Sequence, residues 1–238
     1  MKMKKLFALF ISFTLLIAVC ACSKTPSATD LADYSTFGLT YSMNADGGYT
    51  VTGVGVATDV NVVLPSMYGD LPVTAIGEGA FSDATFIRTL TMPDSVTAIE
   101  AEAFYGCSSL QEIKLSSSLE IVGNDAFSGC SSLRFVDFKE SLTRIGSDVF
   151  AACSSLEYAV LPESLERIGQ FSFNDCDKLS AVYYRGTKEG FGRLEYEYFF
   201  NMSLYNATKY YYSASKPNDD AQGDFWRYVD GKPSVWTR

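Results

Sequence analysis

The chain has 238 residues, and 47% of them are hydrophobic, which is typical of a packed protein and not of a disordered one. Its 28 acidic and 19 basic residues leave a formal net charge of −9, which argues against a nucleic-acid partner because such proteins need a basic surface. The absence of histidine removes the commonest general base, the usual catalytic triads and most zinc sites.

The first residues have the pattern of an export signal. Three lysines precede an apolar run from Leu6 to Val19, which is too short to span a bilayer comfortably. We therefore predict a signal peptide at residues 1–21, with no membrane-spanning segment.

Two cysteines end this segment in a pattern that resembles a bacterial lipobox, in which cleavage precedes a cysteine that receives lipid. Cys22 follows the small Ala21, whereas Cys20 follows a bulkier valine, so we predict that Cys22 carries the lipid. Residues 22–35 are then a small, polar tether. The alternative is an ordinary secreted protein whose signal contains cysteines.

Residues 36–70 have the features of an N-terminal cap. Gly38 to Met43 and Tyr49 to Val54 are alternating, β-rich segments around a turn-rich loop, which predicts a hairpin. Asn61 to Pro65 looks like half of a repeat strand, and residues 66–71 lengthen the turn that follows. The open end of a repeat protein needs such an atypical unit to cover its apolar core.

Residues 71–184 contain five copies of a 23-residue unit. Phenylalanine recurs without slippage at Phe81, Phe104, Phe127, Phe150 and Phe173, with isoleucine or valine five residues before each one and isoleucine or leucine six residues after it. A fixed period of this length indicates a solenoid, in which neighbouring units supply the core that no unit can bury alone.

The residue pattern within each unit predicts a strand and a turn. The pattern Leu110-x-x-Ile113-x-Leu115 indicates a strand with one buried face, stacked in parallel about 4.8 Å from its copies. We expect the Ala-Phe pairs to lie on a short helical turn. Glycine follows the isoleucine column at Gly77, Gly123, Gly146 and Gly169, where we expect positive φ, and Glu100 breaks that column.

The repeat resembles the BspA-type leucine-rich repeat, most specifically in Gly-Cys-Ser-Ser-Leu at residues 106–110 and 129–133. This resemblance implies a leucine-rich-repeat solenoid, mostly β with short helical turns, in which parallel strands stack in a right-handed superhelix. Proteins of this family are typically secreted or surface-exposed, some are adhesins, and they are not enzymes. The segment from Phe225 to Pro233 also resembles C-terminal extensions of such proteins.

Four cysteines follow the same period, at Cys107, Cys130, Cys153 and Cys176. A small residue with a weak donor fits the inside of a coil, so buried free thiols are one interpretation. Disulfides between neighbouring coils are the second, although parallel Cα–Cβ bonds disfavour them. A metal site is the third, and it has little support without histidine or a Cys-x-x-Cys pair.

The outward positions of the strands supply a candidate binding surface. They are polar in the early repeats, where Lys114 lies one repeat before Asp137 and is expected to pair with it. In the later repeats we predict one exposed ligand-binding patch, made of Phe135, Tyr158, Val160 and Tyr183, because apolar patches rich in tyrosine mark partner sites. The alternative is that the C-terminal segment folds back and covers these residues.

After Tyr184 the period ends. Residues 185–212 predict a small aromatic, β-rich C-terminal cap, with a helix capped by Thr187 and strand-like segments at 195–200 and 209–212. Residues 213–238 predict a polar linker and a terminal hairpin that turns at Asp230-Gly231.

The two tryptophans, Trp226 and Trp236, lie in that predicted hairpin. One interpretation is that they stack on a sugar ligand. The other is that they pack against and close the end of the solenoid.

These features favour an adhesin-like binding module, exported, lipid-anchored to the bacterial envelope and exposed at the surface of the outer membrane. The expected partner is a protein of a host or neighbouring cell; a glycan ligand and a purely structural scaffold are the alternatives. We expect a monomer, held to the membrane by lipid alone, with no nucleic-acid partner, cofactor, metal or catalytic residue.

Overall fold

A computed structural model describes residues 36–217 and 224–236. The predicted signal peptide at 1–21, the lipid site at Cys22, the tether at 22–35 and part of the terminal linker lie outside the described residues. The predicted fold class is confirmed: the described chain is a leucine-rich-repeat solenoid made mostly of short strands. In the part of the chain that the structure describes, no helix is long and apolar enough to cross a membrane.

The N-terminal end contains the expected hairpin. Strands β1 (Thr40–Met43) and β2 (Tyr49–Gly53) pair antiparallel, and β3 (Asn61–Val63) is the first strand of the repeat type. The extra residues of the first turn form a second small hairpin from β4 (Met67–Tyr68) and β5 (Leu71–Ile76), with Gly69 at φ 59°. Strand β2 also pairs with β5, so the first hairpin continues the sheet of the repeats.

Each coil contributes two short strands. The first strands are β6 (Thr89–Thr91), β8 (Glu112–Lys114), β10 (Phe135–Asp137), β12 (Tyr158–Leu161) and β14 (Ala181–Tyr184). The second strands are β7 (Ala98–Ile99), β9 (Ile121–Val122), β11 (Arg144–Ile145) and β13 (Arg167–Ile168).

Strands of consecutive coils pair in parallel without any offset, as with Phe135 opposite Tyr158 and Tyr158 opposite Ala181. The second strands extend one sheet from the N-terminal hairpin, in the order β1-β2-β5-β7-β9-β11-β13. The first strands form two sheets, β3-β6-β8 and a sheet that begins at β10, so the ladder is interrupted where outward side chains change from polar to aromatic.

The Ala-Phe segments form hydrogen-bonded turns instead of the expected helical turn. Ala80 N donates to Gly77 O at 3.1 Å within a turn, but Phe104 N donates to Ala126 O of the next coil at 2.8 Å. Two columns of positive φ shape these turns, one through Glu102, Asp125, Asp148 and Phe171 and one through Asp83, Ala152 and Asp175. The third side of the solenoid is therefore also bonded from coil to coil.

The glycines that follow the isoleucine column do not have positive φ, so that expectation is wrong. Their role is close approach: a Cβ on Gly123 would lie 2.6 Å from Ala101 N, and one on Gly146 would lie 2.7 Å from Asn124 N. Glu100, which breaks the column, also lacks positive φ, and its carboxylate accepts a hydrogen bond from Glu78 N at 3.0 Å.

The core is a stack of identical side chains. The five repeat phenylalanines are fully buried, and the first four rings stack with centroids 5.1, 5.0 and 5.5 Å apart. Burial of one such ring contributes about 1.5–3 kcal/mol.

The four cysteines of the repeats lie inside the coils as free, buried thiols. Each Sγ donates to a phenylalanine carbonyl, at 3.0 Å from Cys107 to Phe81 O and 3.1 Å from Cys176 to Phe150 O. Burial raises the pKa of the Cys176 thiol to about 12, so its reactive thiolate form is rare at neutral pH.

The segment after Tyr184 is an irregular further coil. Helix α1 (Lys188–Phe191) has the expected N-cap, since Thr187 Oγ1 accepts from Gly190 N at 3.1 Å. A 3₁₀ helix (Tyr198–Phe200) and helix α2 (Met202–Asn206) precede β15 (Thr208–Tyr212), which pairs in parallel with β14. The predicted strand at 195–200 is wrong, because only Glu195 forms an isolated bridge there, opposite Arg167.

The chain ends in the hairpin that Asp230-Gly231 predicts. Strands β16 (Phe225–Val229) and β17 (Lys232–Val235) pair antiparallel, and both turn residues have positive φ, 50° and 74°. The first residues of β16 pair with β15, so the order of the last sheet is β10-β12-β14-β15-β16-β17.

Gly169→Ala tests the close approach of the coils. A Cβ there would lie 2.5 Å from Gly146 C, so adjacent coils must separate, and we expect the free energy of unfolding in urea to fall by about 1–3 kcal/mol. Gly192→Ala is the control, because its Cβ would lie 3.6 Å from its nearest neighbours at an ordinary φ of −66°, and it should change stability by less than about 0.5 kcal/mol. Equal losses in the two variants would contradict this interpretation.

Candidate functional site

The predicted patch lies on the face formed by the first strands. Phe135 stacks on Tyr158 with ring centroids 5.3 Å apart and planes at 8°, and Tyr158 meets Tyr183 edge-on at 5.6 Å. Tyr210 of β15, which the sequence analysis did not include, stacks on Tyr183 at 5.2 Å. We call these four residues the aromatic row. Tyr210 escaped prediction because it follows Tyr183 by 27 residues and so falls outside the period.

Val160 does not belong to an exposed patch, so its predicted exposure is wrong. Its side chain is fully buried. Val160 pairs with Asp137 on one side and Tyr183 on the other, and the terminal hairpin contacts both of those residues. The alternative in which the C-terminal segment folds back is therefore correct for this part of the face.

Trp226 anchors the hairpin on the solenoid. It is fully buried, its ring lies 5.4 Å from that of Tyr183, and its Nε1 donates to Tyr184 O at 2.9 Å. Trp236 stacks under the Arg227 guanidinium at 3.9 Å and donates to Ser213 O at 3.0 Å. Both tryptophans thus pack the end of the protein, which favours the packing interpretation over sugar stacking.

A polar cluster joins the hairpin to the coils, and we call Asp137, Arg185 and Tyr228 the polar lock. Arg185 Nη2 donates to Asp137 Oδ1 at 2.7 Å and also to the Tyr228 hydroxyl, which lies 3.2 Å from both Asp137 carboxylate oxygens. Asp137 pairs with Lys139 at 2.7 Å as well, so the expected pair with Lys114 is wrong.

The polar lock is partly shielded from water. The side chains of Arg185 and Asp137 are 17% and 22% exposed, and Arg185 Nε is buried without a hydrogen-bond partner. Burial, followed by the nearby Asp137 carboxylate, raises the pKa of Tyr228 well above its ordinary value. Tyr228 therefore stays protonated and can donate its hydrogen bond across the whole physiological pH range.

Beyond the hairpin, Phe135 and Tyr158 remain half-buried at the open end of the aromatic row. Burial raises the pKa of Tyr158, so its hydroxyl also stays neutral. The exposed Glu112 and Lys114 lie on the preceding first strand, β8. This arrangement offers apolar area next to charged groups, the combination found at protein interfaces.

An exposed ion pair lies next to Phe135 and Tyr158, formed by the residues that directly precede them in the chain. Arg134 Nε lies 3.2 Å from Glu157 Oε1, and the two side chains are 63% and 47% exposed. Exposed pairs of this kind contribute little to stability, so both groups are available to a partner.

Across residues 36–217 and 224–236, no three acidic or cysteine side chains are grouped so that they could hold a metal ion.

The chain belongs to the BspA-type leucine-rich repeat family, whose model matches six copies of the repeat across residues 74–205, more than half of the chain. One similar solved structure is the leucine-rich repeat protein of T. pallidum, with 36% identity over 61% of this chain and 68% of that protein, and a TM-score of 0.60. No curated protein matches the chain.

A second similar structure is a leucine-rich cell surface protein of Faecalibacterium prausnitzii, with 29% identity and a TM-score of 0.61. The alignment covers 67% of this chain but only 41% of that longer protein.

Asp137→Asn tests the polar lock. Loss of the carboxylate leaves Arg185 partly buried without its main partner, so we expect the free energy of unfolding to fall by about 2 kcal/mol and amide hydrogen exchange in β16 to accelerate. Glu157→Gln breaks the exposed pair with Arg134 instead and should cost less than about 1 kcal/mol without changing exchange in β16. Unchanged exchange in Asp137→Asn would show that the lock does not hold the hairpin.

Proposed function

We propose that this chain is an adhesin-like protein-binding module that a bacterium exports and displays at its surface through a lipid on Cys22. The half-buried Phe135–Tyr158 pair carries the proposal: it continues the aromatic row away from the ring contact between Tyr183 and Trp226, and charged side chains border it. Family membership supports a binding role over catalysis. The module acts as a monomer, since a single chain presents the whole surface.

The geometry of the rings favours a protein partner over a glycan. Sugars stack on the open faces of aromatic rings, but Phe135 and Tyr158 lie face to face, so each covers a face of the other. What they present outward is ring edges and one hydroxyl, which suit a protein surface that supplies apolar side chains and hydrogen-bond acceptors.

The charged border makes this surface selective. Lys114 and Glu112 are exposed on β8, and Arg134 and Glu157 are exposed beside the two rings. Alternating charges of this kind contribute more to the choice of partner and to the rate of association than to affinity. A purely structural scaffold has no need of such a surface.

Location at the cell surface is the second part of the proposal. The similar protein of F. prausnitzii is described as a cell surface protein, and the lipobox-like residues before Ser23 supply a means of attachment. In this proposal the lipid is the sole membrane anchor, and it is inserted in the outer membrane of the envelope.

Phe135→Ala and Tyr158→Ala test the binding surface. In a screen of the folded protein against extracellular-matrix proteins and a glycan array, we expect a saturable protein hit that each substitution weakens by about tenfold, because buried aromatic anchors dominate interface energies. Tyr105→Ala is the matched control, since Tyr105 is 44% exposed on a turn and lies off this face. A glycan hit that both substitutions leave unchanged would contradict the proposal, and silence on both panels would favour the scaffold.

Cys22→Ser tests the anchor. Cells that express this variant should release the protein from the membrane fraction and should incorporate no labelled fatty acid into it, because the acceptor sulfur is lost. Cys20→Ser is the control and should leave both properties unchanged. Lipid labelling that survives in Cys22→Ser would contradict the assignment.

A further inference from the structure

A small cavity lies at the C-terminal end of the solenoid, on the opposite side of β14 from the docked hairpin's Trp226. It has a volume of about 330 Å³ and opens to solvent between the turn that follows β12 and helix α1. The buried Leu165 and Leu194 supply apolar wall, and Gly190 lines the cavity from α1.

The walls of this cavity are held in place by the fold. Glu195 N donates to Glu166 O at 3.0 Å, which ties the segment after α1 to the last full coil. On the other wall, Thr187 caps α1 through Gly190 N, and Phe191 packs edge-on against Tyr184 at 5.3 Å. The cavity is therefore preformed, as binding sites usually are.

Tyr184 presents an unused hydroxyl to the cavity. The residue is 2% exposed, and its Oη lies beside Gly190, where a Cβ would be 3.3 Å away. Among the described residues none forms a hydrogen bond with this hydroxyl. The ring is buried but Oη itself reaches the cavity, so its hydrogen-bonding capacity is left for solvent or for a molecule that enters the cavity.

The lining carries excess negative charge. Glu163, Glu166 and Glu195 contribute three carboxylates against the single guanidinium of Arg193, and within the described ranges no ion pair joins any of them to Arg193. The carboxylates are too dispersed to surround one metal ion. Dispersed negative charge around a hydroxyl and an apolar wall suits a larger organic cation.

We propose that this cavity binds a primary ammonium group carried on an aliphatic stem. The Tyr184 hydroxyl accepts one N–H, the carboxylates of Glu163 and Glu166 balance the charge, and the stem lies along Leu165 and Leu194. The ammonium belongs either to a lysine side chain of a protein or to a free aliphatic amine, since both have this chemistry. The site is independent of the aromatic row, so either proposal can fail alone.

Calorimetric titration of the full-length protein with Nα-acetyl-lysinamide tests the site. We expect saturable binding that weakens as salt is added, and no binding of the neutral Nα,Nε-diacetyl-lysinamide, because only the charged probe meets the carboxylates. Titration with 1,4-diaminobutane separates the two sources: tighter binding of the diamine assigns the site to free amines, and tighter binding of the lysine probe assigns it to a protein side chain.

Three variants locate the binding. Tyr184→Phe keeps the buried ring and removes only the hydroxyl, and we expect it to weaken binding by about fivefold or more without changing the melting temperature much. Glu163→Gln combined with Glu166→Gln should weaken binding by at least about threefold. Glu78→Gln, an exposed acid on the first coil, is the control and should have no effect.

The proposal is overturned if the neutral probe binds equally well, if no probe saturates, or if Tyr184→Phe binds as tightly as the original chain. Gly190→Ala provides a check that does not alter Tyr184, because its Cβ would crowd the hydroxyl from 3.3 Å and should weaken binding as well. Full affinity in Gly190→Ala would place the cation elsewhere.

Discussion

Registered stacking of equal coils is the constraint on which this structure depends. Every coil must offer its neighbour a matching set of hydrogen-bonding groups, because a buried backbone group without a partner costs free energy comparable to a lost hydrogen bond. The match is made on all sides: through the two strands of each coil and through turns, where Phe127 N donates to Val149 O at 2.9 Å. Equal spacing then forces equal side chains into contact, and the phenylalanine stack, the thiol column and the glycines without room for a Cβ all result from it.

The same constraint creates a problem at each end, where the next coil is missing. At the first end, Thr36 N donates to Val63 O and Thr36 Oγ1 accepts from Val63 N, so one threonine satisfies both backbone groups of Val63 at the edge of β3. At the last end, Phe173 N lacks the carbonyl that Phe150 N finds in Ser172. The fully buried Asn201 replaces that carbonyl with its side-chain Oδ1, while its Nδ2 donates to Gly169 O. At these positions one short polar side chain thus replaces a backbone group that a regular neighbouring coil would supply.

The sequence predicts what repeats and what turns tightly, and little else. The coils, the strand register and the terminal hairpin all follow from spacing and from Asp230-Gly231. The polar lock does not follow from spacing. Arg185 lies 48 positions and Tyr228 lies 91 positions after Asp137, and neither separation is a multiple of the repeat length. Spacing offers the burial of Val160 only as an alternative, because nothing within one repeat indicates that another segment will cover it. The period also does not distinguish a glycine that must adopt positive φ from a glycine that is required because the neighbouring coil leaves no room for a Cβ.

Strand β14 connects the two surfaces at the C-terminal end, which are the aromatic row with its docked hairpin and the cavity beside Tyr184. The hairpin needs apolar sheet under it, and Tyr183 and Tyr212 supply that contact through Trp226. Phe135 and Tyr158 continue the aromatic row past the hairpin, so they exceed what docking requires. Tyr184, in turn, gives its carbonyl to Trp226 and presents its hydroxyl to the cavity. Because β14 supports both the docked hairpin and the cavity, a substitution that loosens the hairpin also disturbs the cavity wall, whereas one at Phe135 leaves that wall intact.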